Sequence, residues 1–389
     1  MNAFRTIFKK ELVDSVRDRR TIAMIMVASI LTGPLVLMML NSFVAKLTDK
    51  AEAKKVQVSG MQHAPTAINF FQRQGAEVIA APDDYLQKVK DGKLDAVVVF
   101  KAGFEDQLRA GKQVAVEMVF DDSRSEAGPS IGLARSLLNG FGREQGVLRL
   151  MARGVSPDVT NAVKVENINV STPKQRAAML LFFIPMTTLI LCITGGMAVA
   201  IDSTAGERER GSLEPLLLNP VKLTELILGK WSAVSLYASV VVLLAILGYV
   251  LTLLYMPIKL ELPISFGWQQ FGLFSLIAVP LAAMLGAVLM LIATFGRSYK
   301  EAQTYASYVI TVVSFVPAIA IFGSVKDAFW QLLVPVLGAN MVFMRVLRGD
   351  AVGLEHFAVP LAVSTVVTVV CLTVISRLLR KEEIVFGRT

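Results

Sequence analysis

Apolar positions along this chain follow two rhythms. One is a series of long runs without a charged side chain, at 21–44, 177–201, 231–256, 264–295, 302–325 and 357–376. A helix needs roughly 20 mostly apolar residues to cross a hydrocarbon layer about 30 Å thick, so each run predicts a membrane span. The other rhythm fills residues 45–176, where short β-branched runs alternate with helix-like segments. Strands are predicted at 55–59, 77–80, 95–100, 114–120 and 163–170. Helices are predicted at 65–74, after Pro82-Asp83-Asp84, at 103–110 and at 131–153.

The pattern therefore predicts a six-transmembrane α-helical domain with a large extracytoplasmic α/β domain inserted between the first and second spans. Residues 1–20 are imperfectly amphipathic. Phe4, Ile7, Phe8, Leu12 and Val16 share a broad face that Glu11 and Asp18 interrupt, which predicts an interfacial helix rather than a solvated tail. No A-x-A-like site follows the run at 21–44, so it is expected to remain as an anchor with the N-terminus inside. Residues 45–176 form the polar domain, and 177–378 carry spans two to six with a cytoplasmic segment at 202–230. The run at 264–295 exceeds one straight span, so its start is expected to lie along the interface or re-enter, with Pro280 as a kink. The apolar stretch 328–344 is short and broken by Pro335 and Gly338. If it crossed, Arg377, Arg380, Lys381 and Arg388 would emerge outside, against the positive-inside rule. It is expected to be re-entrant or interfacial, leaving 379–389 as a cytoplasmic tail and both termini on the inner face of a bacterial cytoplasmic (inner) membrane.

Composition supports this reading and narrows the chemistry. The chain has 389 residues, 54% of them hydrophobic, which is too apolar for an ordinary soluble globule. The net charge of +8 collects no basic run interleaved with aromatics, so nucleic-acid binding is not expected. Cys192 and Cys371 fall inside apolar runs, and His63 and His356 have no acidic or thiol neighbour at ligand spacing. No metal and no catalytic residue is expected, and both histidines read as ordinary exposed residues. Asp121, Asp122 and Glu126 read as a solvated turn, since a calcium loop needs a longer series of oxygen ligands.

The interiors of the runs hold no Asp, Glu, Lys or Arg. A charge at mid-bilayer costs about 2.5–3.5 kcal/mol on insertion scales, so its absence counts against a gradient-driven transporter and an intramembrane protease. Hydroxyls are present instead. Thr187 and Thr194 share a face, and Thr304, Ser307, Thr311 and Ser314 step by three and four along one stripe. Such a stripe serves either helix packing or a weakly polar translocation path.

Between the second and third runs lies the densest alternation of charge in the chain, ERERGSLEPLLLNP at 207–220. This segment closely resembles the one after the second span in type-2 ATP-binding-cassette (ABC) exporter permeases, with the wording E-x-E-x-G-T-L-E-x-L-L-x-x-P followed by a Gly-Lys at the third span. Glu207, Glu209, Gly211, Leu213, Glu214, Leu217, Pro220, Gly229 and Lys230 occupy those places, while Ser212 replaces the usual Thr and Pro215 is less usual. The start, KKELVDSVRDRRT at 9–21, and the overall plan look most like the sodium-efflux (Nat-type) branch. The resemblance implies an exporter permease, active as a dimer and coupled to a cytoplasmic ABC ATPase subunit. Glu207, Arg208, Glu209, Arg210, Gly211, Leu213 and Glu214 would form the coupling surface. No G-x-x-x-x-G-K-[ST] occurs, because Gly92-Lys93, Gly111-Lys112 and Gly229-Lys230 are followed by Leu, Gln and Trp. ATP and Mg are therefore expected in the partner, with no cofactor in this chain. The competing expectation is a non-transporting receptor or scaffold that senses through the outer domain.

Overall fold

The computed structural model describes residues 3–17, 19–52, 54–160, 172, 181–212, 215, 221–255, 266–322 and 328–380. The chain divides into two compact units, Asn41–Val170 and, together, Met1–Leu40 with Ser171–Thr389.

The helical unit begins with α1 (Ala3–Arg17) and the first part of α2 (Arg19–Glu52). Among the described side chains of α1, Ile7 and Glu11 are buried, one helical turn apart, so the acidic interruption lies on the inward face. Pro34 falls inside α2, where its lost hydrogen bond is tolerable in a membrane helix.

The second unit is an α/β fold, with β1 (Lys55–Ser59), α3 (Pro65–Arg73), β2 (Glu77–Ala80), α4 (Tyr85–Lys90), β3 (Ala96–Val99), α5 (Phe104–Arg109), β4 (Glu117–Phe120) and α6 (Gly128–Ala152). The sheet order is β2-β1-β3-β4; β1 is parallel to both neighbours and β4 runs antiparallel to β3. Strand β3 is apolar at every position because it is central and covered, as parallel strands generally are. Phe70, Phe71, Phe100, Phe104 and Phe141 fill the core, with ring centroids 4.8 Å apart for Phe100 and Phe104. The strand expected over 114–120 is shorter, starting at Glu117, and the one expected at 163–170 lies outside the described residues. Asp121 accepts hydrogen bonds from the Ser123 N–H at 3.0 Å and its hydroxyl at 2.6 Å, an Asx-type turn.

The helical unit resumes with α7 (Phe183–Ile201), α8 (Leu223–Tyr255), α9 (Trp268–Phe295), α10 (Tyr299–Phe322), α11 (Pro335–Arg348) and α12 (Glu355–Leu378). Among the described residues, five helices are long and apolar enough to cross a membrane: Ile22–Ala45, Phe183–Glu209, Leu223–Tyr255, Trp268–Phe295 and Glu355–Leu378. Helix α10 is not among those five. Two expectations change. Helix α8 starts at Leu223 rather than at Trp231, so Glu225 and Lys230 belong to it. His356 is buried, and its Nδ1 accepts the Gly353 N–H at 3.2 Å. The stretch 328–344 forms a 3-10 turn, Phe329–Leu333, and then α11, whose 14 residues rise only about 21 Å.

Packing in the bundle relies on small residues. Gly33 of α2 and Gly248 of α8 meet backbone to backbone, and a Cβ on Gly248 would stand 3.1 Å from the Ile30 carbonyl carbon. Thr252 returns its hydroxyl to the Gly248 carbonyl at 2.6 Å. Farther along, the Phe274 and Phe343 rings stack at 4.4 Å between α9 and α11.

Gly248→Ala is expected to lower the thermal midpoint of the detergent-purified protein sharply, since backbone cannot move aside. Gly146→Ala in α6, which meets nothing within 4 Å, is expected to gain about 0.5–1 kcal/mol. Scanning fluorimetry on both variants checks the contrast.

Candidate functional site, a charged hub between helices

Helix α7 does not stop at Ile201. Its last turn, Asp202–Gly206, widens into π-helix, in which the Glu207 N–H reaches back five residues to the Asp202 carbonyl. A short α-turn, Glu207–Glu209, follows. Gly211, at φ 67°, then reverses the chain. Its N–H donates to the Arg208 carbonyl at 3.0 Å and the Ser212 N–H donates to the Glu207 carbonyl at 2.9 Å, the paired bonds of a glycine-terminated helix end. Gly211 is thus required by its left-handed backbone.

Four consecutive charged residues on this turn reach four different places. Glu207 Oε2 receives the Lys230 ammonium of α8 at 2.6 Å, and its Oε1 receives Lys10 of α1 at 2.6 Å. Arg208 donates to the Thr294 carbonyl at 2.7 Å and the Gly296 carbonyl at 3.0 Å, capping the end of α9 where a cation suits the helix dipole. Glu209 accepts the Tyr299 N–H at 2.7 Å, placing a carboxylate at the start of α10. Arg210 turns back to Asp202 at 2.8 Å.

The deepest part is the Lys230 ammonium. It also donates to Glu11 Oε1 at 3.0 Å and to the Ser203 carbonyl at 2.9 Å. The side chains of Lys230, Glu11 and Glu207 are only 5%, 5% and 6% exposed. Lys10 closes the cluster from the rim, bonding Glu11 at 3.0 Å and approaching Asp14 at 3.5 Å. Burial alone would lower the Lys10 pKa, but the hydrogen bond to Glu207 and the charges of Glu11 and Glu207 outweigh it and raise the value above 10.5. Gly229 lets α1 lie this close, since a Cβ there would stand 2.8 Å from Ile7 Cγ2.

The candidate coupling residues thus divide. Glu207 is buried inside the permease and Arg208 is half-buried, whereas Glu209, Arg210 and Gly211 are exposed. Leu213 and Glu214 lie outside the described residues. The candidate path residues are scattered and bonded within their helices. Thr187 shares a 2.6 Å hydrogen bond with the Tyr249 hydroxyl, and Thr194 donates to the Ile190 carbonyl. Thr304, Ser307, Thr311 and Ser314 each donate to the carbonyl four residues back. The first three are exposed along α10 together with Tyr308 and Phe315. No pairing was legible for Glu11 or Lys10 in the sequence, where the signal was a carboxylate at an apolar spacing on α1.

Across residues 5–382 the chain matches the profile of the ABC-2 family transporter proteins. It belongs to that family. A relative, the ABC transporter permease protein NatB of Bacillus subtilis (strain 168), is 27% identical over 354 residues, 88% of this chain and 89% of the relative. Membership establishes a multi-pass helical membrane protein that serves as an ABC transporter permease subunit, a non-enzymatic component working with an ATP-binding subunit. In that setting the hub is the place where a short segment between α7 and α8 holds α1, α9 and α10 at once.

Lys230→Met leaves two buried carboxylates facing each other, and breaking such a pair typically costs about 3–5 kcal/mol. A large fall in thermal midpoint is expected, partly restored by adding Glu207→Gln. The Lys10 contribution is complete below pH 10.5 and is lost only as the pH rises through its higher folded value. Thermal melts at pH 6 and pH 9 should therefore show no loss from this group.

Proposed function

We propose that this chain is the permease subunit of an ATP-driven exporter in a bacterial cytoplasmic membrane, working as a homodimer with two cytoplasmic ABC ATPase subunits. Six spans, with α10 as the fifth, place both termini and the hub inside and the α/β unit outside. ATP and Mg belong to the partner. Sodium is the proposed cargo, on the strength of the resemblance to the sodium-efflux branch. The exposed hydroxyls Thr304, Ser307 and Thr311 on α10, with Ser314, Thr187 and Thr194, are the proposed lining of the path between two copies.

The observation that carries this reading is the mechanical reach of one short turn. Glu207, Arg208 and Glu209 hold α8 with α1, α9 and α10 respectively, while Glu209, Arg210 and Gly211 face outward. A partner that grips the outer side of this turn moves elements that form the bundle, and Leu213 and Glu214, next in the sequence, belong to the proposed grip. Charge-assisted contacts suit such a grip. Arg210 is the informative contact, because its pairing with Asp202 is exposed on both sides and contributes little to stability.

Arg210→Glu is expected to weaken binding of the cognate ATPase about tenfold or more, the effect of losing one charge-assisted hydrogen bond, while leaving the permease monodisperse. Co-purification and ATPase stimulation in sodium-loaded proteoliposomes read the outcome. Unchanged binding would remove the coupling role, and full transport by the permease alone would remove the ATP-driven reading.

A further inference from the structure

The π-turn at Asp202–Gly206 and the Lys230 ammonium are linked through one oxygen. In a continuous α-helix the Glu207 N–H would donate to the Ser203 carbonyl four residues back. Here it donates to Asp202 and Thr204 instead. The Ser203 oxygen accepts the Lys230 ammonium at 2.9 Å, and the same ammonium holds the Glu207 carboxylate at 2.6 Å. Lys230 thus grips both ends of the wide turn, the backbone at its start and the side chain at its finish.

A wide turn holds one residue more than an α-turn over the same rise, and π-turns of this kind recur at functional sites. Drawing the same residues into α geometry adds the extra one to the regular spiral, so everything after it rotates by about 100° and advances by about 1.5 Å. A small recess of about 20 Å³ borders the turn between Ser203, Thr204, Lys230, Met290, Thr294 and Ile375. The bonds that Thr204 makes with its hydroxyl go back to Ala200 and Ile201 and do not bridge to another helix.

We propose that the Asp202–Gly206 turn is a two-register hinge. Its π register is held by Lys230 bridging the Ser203 carbonyl and the Glu207 carboxylate, and an α register forms when that bridge is released. In the α register the Glu207 N–H takes the Ser203 oxygen, so the ammonium and the amide compete for one acceptor. Glu207 then swings away from Lys230, and the turn carrying Arg208, Glu209 and Arg210 rotates with it. Helix α1 is part of the latch, because Glu11 shares the Lys230 ammonium and Lys10 shares Glu207. This device rests on the geometry of the permease alone and stands apart from the transport reading, so its test requires no cargo and no ATPase.

Spin labels at Ser212→Cys and Leu236→Cys, in a background carrying Cys192→Ala and Cys371→Ala, report the distance between the turn and α8. Both label positions are exposed and both native cysteines are buried. The parent protein should give one distance population. Deleting Thr204 removes the extra residue, so an α-turn spans the same rise and the parent distance should be kept. The double variant Lys230→Met with Glu207→Gln keeps every residue of the turn, leaves Lys10 and Glu11 mutually paired, and should add a second population displaced by about 5 Å. If the deletion variant moves to a displaced distance, the turn holds no spare residue. If the double variant keeps only the parent distance, Lys230 is not the latch. Either result overturns the proposal, and size-exclusion profiles confirm that each variant is folded.

Discussion

A lysine ammonium held almost dry by three oxygens is the constraint on which the end of this bundle depends. Removing such a cation from water costs several kcal/mol even after the surroundings relax, and the cost is recovered only where every donor finds a close acceptor. Lys230 meets that condition with Glu11, Glu207 and the Ser203 carbonyl, all within 3.0 Å. The carboxylates are equally dependent on it, because Lys10 reaches them only from the half-exposed rim. The pairing is therefore less a source of net stability than a condition on geometry. Helix α1, the end of α7 and the start of α8 have to be together for any of the four charges to be tolerated.

The reach of the hub follows from helix geometry. Successive residues of a helical turn point about 100° apart. Four adjacent charged side chains at Glu207–Arg210 therefore sweep the full circle, and in a bundle each direction holds a different neighbour. Their signs match what they meet. Arg208 finds the carbonyl end of α9, Glu209 finds the amide end of α10, and Glu207 finds two ammonium groups. Alternation of charge, which reads in sequence as a solvated docking strip, is here dictated by alternating helix polarity around a single turn. Gly211 ends the turn where its left-handed backbone is needed, so the strip cannot extend into a longer helix with a different set of neighbours.

Much of the fold was legible because it depends on local rules. The apolar runs marked the long helices, and the central strand Ala96–Val99 declared itself by β-branching and burial on both faces. What stayed hidden was the destination of each charge. Glu11 and Lys230 lie 219 residues apart, and no spacing rule connects them. On α1 the carboxylate at position 11 looked like a flaw in an amphipathic face, although one turn from Ile7 it marks that face as packed against another charge. Lys230 was set outside the third span for the same reason, since a cation reads as an end of a membrane helix unless its partners are visible. His356 was misjudged because short polar spacing cannot reveal burial brought about by neighbouring helices.

The ties around the hub differ in how hard they are to break, and the difference orders any motion of the turn. Arg210 and Asp202 are each more than half exposed, so their pair is screened and contributes about 0–1 kcal/mol. Glu209 is exposed too, and water can replace it at the Tyr299 amide. Arg208, half-buried, caps two carbonyls at the end of α9. The Lys230 cluster is the most costly to disturb, because separating its members strands charge where little water can follow. A force on the outer side of the turn therefore frees α10 before α9, and α9 before α1 and α8. The segment yields from its exposed edge inward, and the buried ammonium sets the load at which the whole end of the bundle responds.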